Sequence, residues 1–351
     1  MKKFSRFLLH ELKKNLWALV VLTAVCAIPY VTTIASMQTV VRFRIEENVW
    51  NYYTADPNLW VVFLELGILC FFVPALTFSF KMNKRSVDAY YALPLKKEKL
   101  YLVKTLVGLL LVLVPFTVAY WGGFFTMLCR PDRPYVMRAY IPAYFGGVLF
   151  GVCLYGVNAF LFTRANKVFD GIVFMAAYAF IGYILAVFFE ELTGVFISWR
   201  ITEGLLTFGS LIIFPDAMGN AIRGTQYSHM LNAFVFVYPI VLALISYFLL
   251  FFNLRYEKAE NAEQVSHSWF GYKILIPLYI VLLVAICEFE PLGLCGIAVG
   301  GVVASIVYQG KFRFSWKWWL VLVGAFALGC AFGGLIEILY DFRLSPVPEN
   351  Y

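Results

Sequence analysis

The chain has 351 residues, 62% of them apolar and 14% charged, with a mean hydropathy of +0.78. A soluble domain carries about 45–50% apolar and about 25% charged residues, so this composition excludes one and describes a polytopic membrane protein. The net charge of +7 sits in short loops, where Lys and Arg set topology and meet anionic lipid heads, so it does not argue for a nucleic-acid partner.

Residues 1–15 place Phe4, Phe7, Leu8 and Leu12 at helical spacing among Lys, Arg and Glu. This predicts an amphipathic helix lying in the inner membrane interface. Arg6, His10, Glu11, Lys13 and Lys14 interrupt the hydrophobicity and no small-residue cleavage site follows, so the segment does not read as a cleaved signal peptide. Apolar runs follow at 16–37, 59–80, 105–128, 140–163, 171–189, 231–252, 274–287, 292–308 and 318–340. A bilayer core about 30 Å thick needs about 20 apolar helical residues, and only helices satisfy the backbone of separate spans there. The expected fold is therefore all-α, a polytopic transmembrane helix bundle of about nine spans. The runs at 274–287 and 292–308 are short, and the turn at 288–291 between them is compatible with a hairpin that only partly crosses.

The segment 81–104, KMNKRSVDAYYALPLKKEKLYLVK, lies between the second and third runs. Its basic residues Lys81, Lys84, Arg85, Lys96, Lys97, Lys99 and Lys104 outnumber Asp88 and Glu98, which assigns it to the cytoplasmic face. Ser86 and Asp88 are suited to cap and charge a helix start. Tyr90, Tyr91 and Leu93 supply an apolar side, and Pro94 stops the helix. The segment thus reads as a short amphipathic helix at the inner surface, fit to dock another protein. With the N-terminus inside, every Lys falls in an inside segment, and the outside basic residues are Arg42, Arg44, Arg130, Arg133, Arg138, Arg200, Arg223 and Arg343. The opposite orientation breaks the positive-inside rule. Residues 190–230 form the longest outside segment, whose apolar patch 204–214 is too short to cross and predicts outer-surface or re-entrant helices.

The chain lacks the GxxxxGK[ST] phosphate loop, an HExxH pair and a GxSxG elbow. His10, His229 and His267 all lie outside the spans. The seven cysteines show no CxxC or Cys/His spacing, so neither a metal centre nor a disulfide framework is expected. No catalytic, cofactor-binding or metal-ligating set is predicted. The remaining candidates are ionisable groups inside spans, since Asp or Lys at mid-helix costs at least about 2.5–3.5 kcal/mol. Glu65 is the clearest, and Glu337 lies near an outer end; both are candidates to line a substrate path, against a purely structural hydrogen bond or interfacial role. The pairs Gly147/Gly151, Gly296/Gly300 and Gly329/Gly333 permit close helix contact, and Pro29, Pro74 and Pro115 fall inside the first three spans.

The order of these parts resembles the membrane (permease) subunits of ABC transporters of the ABC-2 exporter type. The stretch 86–95, SVDAYYALPL, followed by Lys99-Leu100 and Lys104, is similar to the family's L-P-[IL]…L…K run entering the third span. The loop 255–263, RYEKAENAE, is similar to the basic-acidic run after span six in bacterial members. The resemblance covers residues 1 to about 263. It implies a connecting helix at 1–15 and a six-span core at 16–256 with a coupling loop at 81–104 and an outer re-entrant segment at 190–230. Residues 257–351 add a three-span region with a short outside tail that the six-span plan lacks. It also implies ATP hydrolysis by a separate ABC ATPase docked through Ser86, Asp88, Tyr90, Tyr91, Leu93, Pro94 and Leu95. A second permease copy or paralogue would complete the export path in a bacterial cytoplasmic membrane, and the chain itself would bind no cofactor. The alternative from the residues alone is an ion-gradient-driven transporter or channel that uses Glu65.

Overall fold

The computed structural model describes residues 2–36, 59–93, 95–129, 137–193, 229–256, 259–264, 266, 268–287, 289–309 and 314–344. Among these the chain is helical, with short 3-10 turns and no strand. In order the helices are α1 (Lys2–Lys14), α2 (Leu16–Ser36), α3 (Leu59–Phe78), α4 (Lys84–Tyr91), α5 (Lys97–Leu128), α6 (Met137–Thr163), α7 (Val168–Thr193), α8 (His229–Phe252), α9 (Tyr272–Ile286), α10 (Pro291–Gln309) and α11 (Trp316–Leu344). Among the described residues each expected apolar run lies within a helix or overruns its end by at most two residues. Among the described residues seven helices, α2, α3, α5, α6, α7, α10 and α11, are long and apolar enough to cross a membrane; α9 and the Pro239–Phe252 stretch of α8 are shorter. The protein is thus an all-α, multi-pass membrane protein. α10, expected to be short, runs for 19 residues, whereas α9 has 15. Of the expected outer segment, residues 194–228 lie outside the described residues, as do Pro94, His267 and Glu288.

Two compact units divide the chain. The first comprises Met1–Ser79, Tyr90–Phe160 and Leu211–Tyr256; the second comprises Phe80–Ala89, Leu161–Ser210 and Glu257–Tyr351. This division departs from the boundary at 256/257 drawn from sequence, because α7 packs with α9 and α11.

In the first unit α5 is the central helix, packed along α2 and α3 and meeting α1. Its buried face carries Tyr101, Val107, Leu111, Phe116 and Tyr120. Lipid tails are as apolar as Leu, so these helices associate through close packing and buried hydrogen bonds rather than through a hydrophobic drive. A β-carbon on Gly123 would lie 2.1 Å from the Tyr30 ring, and one on Gly147 would lie 2.6 Å from Phe116. The Gly147/Gly151 pair therefore serves close approach, with Leu66 3.0 Å from the position of a Gly151 β-carbon. In the second unit α9 is central, against α7, α10 and α11. Phe188, Leu282 and Ala285 form its core, with Ile336 packed against them. Gly329 and Gly333 of α11 approach Val284 and Phe289 closely, whereas Gly296 and Gly300 on α10 have open space where a β-carbon would be. Two of the three small-residue pairs thus make contacts within the chain.

Candidate functional site

The helix start near 81–104 differs from expectation. α4 begins at Lys84, and Asn83 caps it: its side-chain oxygen accepts the Ser86 backbone N–H at 3.3 Å. Asn83 lies three residues before that N–H, the spacing an N-cap side chain reaches, so Ser86 and Asp88 fall inside the helix and do not cap it. Glu263 adds a carboxylate at this end. Its Oε1 accepts the Lys84 N–H at 3.3 Å, and its Oε2 lies 3.9 Å from the Lys84 ammonium. That ion pair is exposed and contributes under about 1 kcal/mol. The Glu263 backbone sits at φ 67°, uncommon for a residue with a β-carbon, and its N–H is held by the Asn166 carbonyl at 3.0 Å.

Further contacts in the second unit join the same segments. The Lys81 ammonium donates to the Thr163 carbonyl, and the Ser266 hydroxyl donates to the Arg164 carbonyl at 2.7 Å. The stretches 81–84, 163–166 and 263–266, all assigned to one membrane face from their charge, are thus tied together.

The docking candidates divide by exposure. Asp88 is exposed, and Ser86, Tyr90, Tyr91, Leu93 and Leu95 are half-buried. Among the α4 residues Val87 is the buried one, at 1% exposure, an apolar anchor that sequence reasoning passed over. The backbone after α4 turns tightly, with the Leu93 N–H on the Tyr90 carbonyl and the Leu95 N–H on the Leu93 carbonyl. The Lys97 ammonium lies over the Tyr91 ring, 4.7 Å from its centroid.

Tyr90 has a role that the amphipathic pattern hid. Its hydroxyl donates to Glu11 Oε1 at 3.1 Å and accepts from Lys104 at 3.1 Å and Lys14 at 3.0 Å. Glu11 Oε2 and the Lys104 ammonium pair at 2.7 Å, with side-chain exposures of 1% and 6%. A buried pair persists only where the geometry is close and other hydrogen bonds satisfy the charges, and Tyr90 supplies one to each partner. The Tyr90 hydroxyl also raises the Lys14 ammonium above its ordinary pKa, outweighing the opposing effect of partial burial. From sequence Lys104 was named only as a basic residue of 81–104 and of the family-like run, and Glu11 only as a break in the hydrophobicity of 1–15. Neither was read as half of a buried pair, although a signal existed. Glu11 stands in the apolar stripe of α1, seven residues after Phe4 and three after Leu8. α5 starts at Lys97, not at 105, so Lys104 lies on its buried face, four residues from both Leu100 and Gly108.

Glu65 lies in the N-terminal half of α3, at the end of the first unit away from this network. Both its carboxylate oxygens are buried and have no hydrogen-bond partner among the described residues. Cys26 and Tyr30 of α2 are within its electrostatic reach. Tyr30 opens an aromatic cluster: its hydroxyl shares a 2.9 Å hydrogen bond with that of Tyr140, and the Tyr140 ring lies 4.5 Å from Tyr120. Glu337 belongs to the second unit, on an exposed face of α11. No protein-family model, no curated protein and no solved structure matches the chain.

Proposed function

We propose that the chain is the permease subunit of an ATP-driven transporter of the ABC-2 type, with about nine spans and a cytoplasmic N-terminus. It forms half of an export path in a bacterial cytoplasmic membrane. A separate ABC ATPase docks on α4 and the turn after it, and a second permease copy or paralogue completes the path. The observation that carries this reading is the construction of α4. Its exposed side offers Asp88 between clusters of Lys and Arg, while Tyr90 reaches a buried ion pair that joins α1 to the start of α5. A protein bound there gains a rigid lever onto two helices, and a ligand shifts an equilibrium only through such differential contacts. The loops tied to one another in the second unit agree with the inside assignment made from charge. Ser86, Asp88, Tyr91, Leu93, Pro94 and Leu95 form the docking surface, and Tyr90 transmits from it.

The test is purification of the tagged full chain from its native membranes in mild detergent. A Walker-motif ATPase is expected to co-purify, and Leu93→Asp to weaken its association at least about tenfold, since charge at an apolar contact is costly. The variant should keep the native gel-filtration profile. Undiminished association by Leu93→Asp, with the ATPase present, removes the docking role.

A second reading is favoured by the unpartnered carboxylate of Glu65: a carrier driven by an ion gradient. Transport by the purified chain alone, abolished by Glu65→Gln, selects it over the first.

A further inference from the structure

Other buried polar side chains of the first unit have found partners. Thr77 donates to the Val73 carbonyl, Cys70 to the Gly151 carbonyl and Asn158 to the Cys70 carbonyl, while Tyr30 pairs with Tyr140. Glu65 is the exception. Its carboxylate contributes the only buried side-chain acceptors without a hydrogen bond among the described residues. A buried carboxylate left alone carries a desolvation cost that pairing or neutralisation must relieve, and such exceptions call for a cause. Among the described residues there is no basic side chain in α2 or α3 that could relieve it from either helix.

We propose that Glu65 is the point at which this path receives a positively charged group, so that the cargo class is a lipophilic organic cation. The proposal rests on reading the first unit as one side of a transport path, whichever energy source drives it. The geometry supplies what such a ligand needs. The Glu65 side chain is partly exposed along its length while both oxygens are covered, so the carboxylate lies just below the apolar surface of the helices. The α2 groups within its electrostatic reach, the Cys26 thiol and the Tyr30 hydroxyl, bring no competing charge. An ammonium or phosphonium there meets one carboxylate in low dielectric, where attraction is strongest, and buries its apolar body against the helices. A neutral or anionic amphiphile of the same size gains nothing from the carboxylate.

The test is equilibrium dialysis of the full chain in nanodiscs of neutral lipid against two cations, tetraphenylphosphonium and dodecylamine. Dodecanol and tetraphenylborate are the uncharged and anionic comparisons. At least one cation is expected to bind saturably at one site per chain. Glu65→Gln, which keeps the shape and removes the charge, should weaken it at least about tenfold. Glu65→Asp should retain part of the affinity, and the exposed Glu260→Gln should match the native chain. Equal binding by native and Glu65→Gln overturns the proposal, as does the absence of saturable binding for both cations. No ATPase is present in the assay, so its failure is separate from failure of the docking reading. A chain that captures the ATPase but no cation keeps the first and loses the second.

Discussion

Lys104→Met lowers the stability of the folded chain by about 3–5 kcal/mol, because it leaves the Glu11 carboxylate buried without its counter-charge. Glu11 is 1% exposed and its Oε2 has the Lys104 ammonium at 2.7 Å, so no water replaces the lost partner. Tyr90 still donates to Oε1, which returns one hydrogen bond of about 1.5–3 kcal/mol to a charged group and no more. The double variant Glu11→Leu with Lys104→Met should recover most of the loss, since an apolar pair of similar volume is often neutral or stabilising at such sites. Thermal unfolding in detergent across the four members of the cycle measures the coupling directly. A double variant no better than the sum of the singles would show that the two charges do not act as a pair. Function separates from stability here. The double variant should fold yet leave Tyr90 with Lys14 as its one remaining charged partner of the three, so an associated ATPase should lose most of its stimulation of transport.

Gly123→Ala is the second large effect, and its sign opposes the usual one. In a helix interior Ala is favoured over Gly by about 1 kcal/mol. At Gly123 the added β-carbon would lie 2.1 Å from Cε1 and 2.6 Å from Cδ1 of Tyr30. Tyr30 is fully buried and its hydroxyl is held by Tyr140, so the ring has nowhere to go without opening α2 from α5. Overpacking of this kind costs about 1–3 kcal/mol. Gly324→Ala is the matched control: open space surrounds that position on α11, and the same substitution there should stabilise. Unfolding temperatures of the two variants on either side of the native value are the expected result. A stabilised Gly123→Ala would mean that the α2–α5 contact is looser than described.

These two sites show what was legible in the chain. Among the described residues the apolar runs marked the place of each long apolar helix, because hydrocarbon leaves the backbone no partner but itself and a run of the right length can only be a helix. Glu65 was equally plain, since a carboxylate inside such a run stands out against its neighbours. α4 was legible as a short amphipathic helix, but its cap was misplaced by three residues, from Asn83 to Ser86, because Asn83, Ser86 and Asp88 are all competent caps and only the backbone decides among them. Val87 was overlooked beside the larger Tyr90 and Tyr91, since size suggests burial until packing is known.

The amino-acid sequence by itself determined that this is a multi-pass helical membrane protein and that its lysines fall in the segments outside the apolar runs. Both follow from the free energy of single groups in water or lipid, which composition and spacing report. The partnership of Glu11 with Lys104, 93 residues apart, was decided by the tertiary structure alone, as were the turning of Tyr90 toward that pair and the lack of a hydrogen-bond partner for the Glu65 carboxylate among the described residues. Each depends on which helix faces lie against one another. A charge on an apolar stripe shows that a partner is required, but only the packed helices supply one or withhold it.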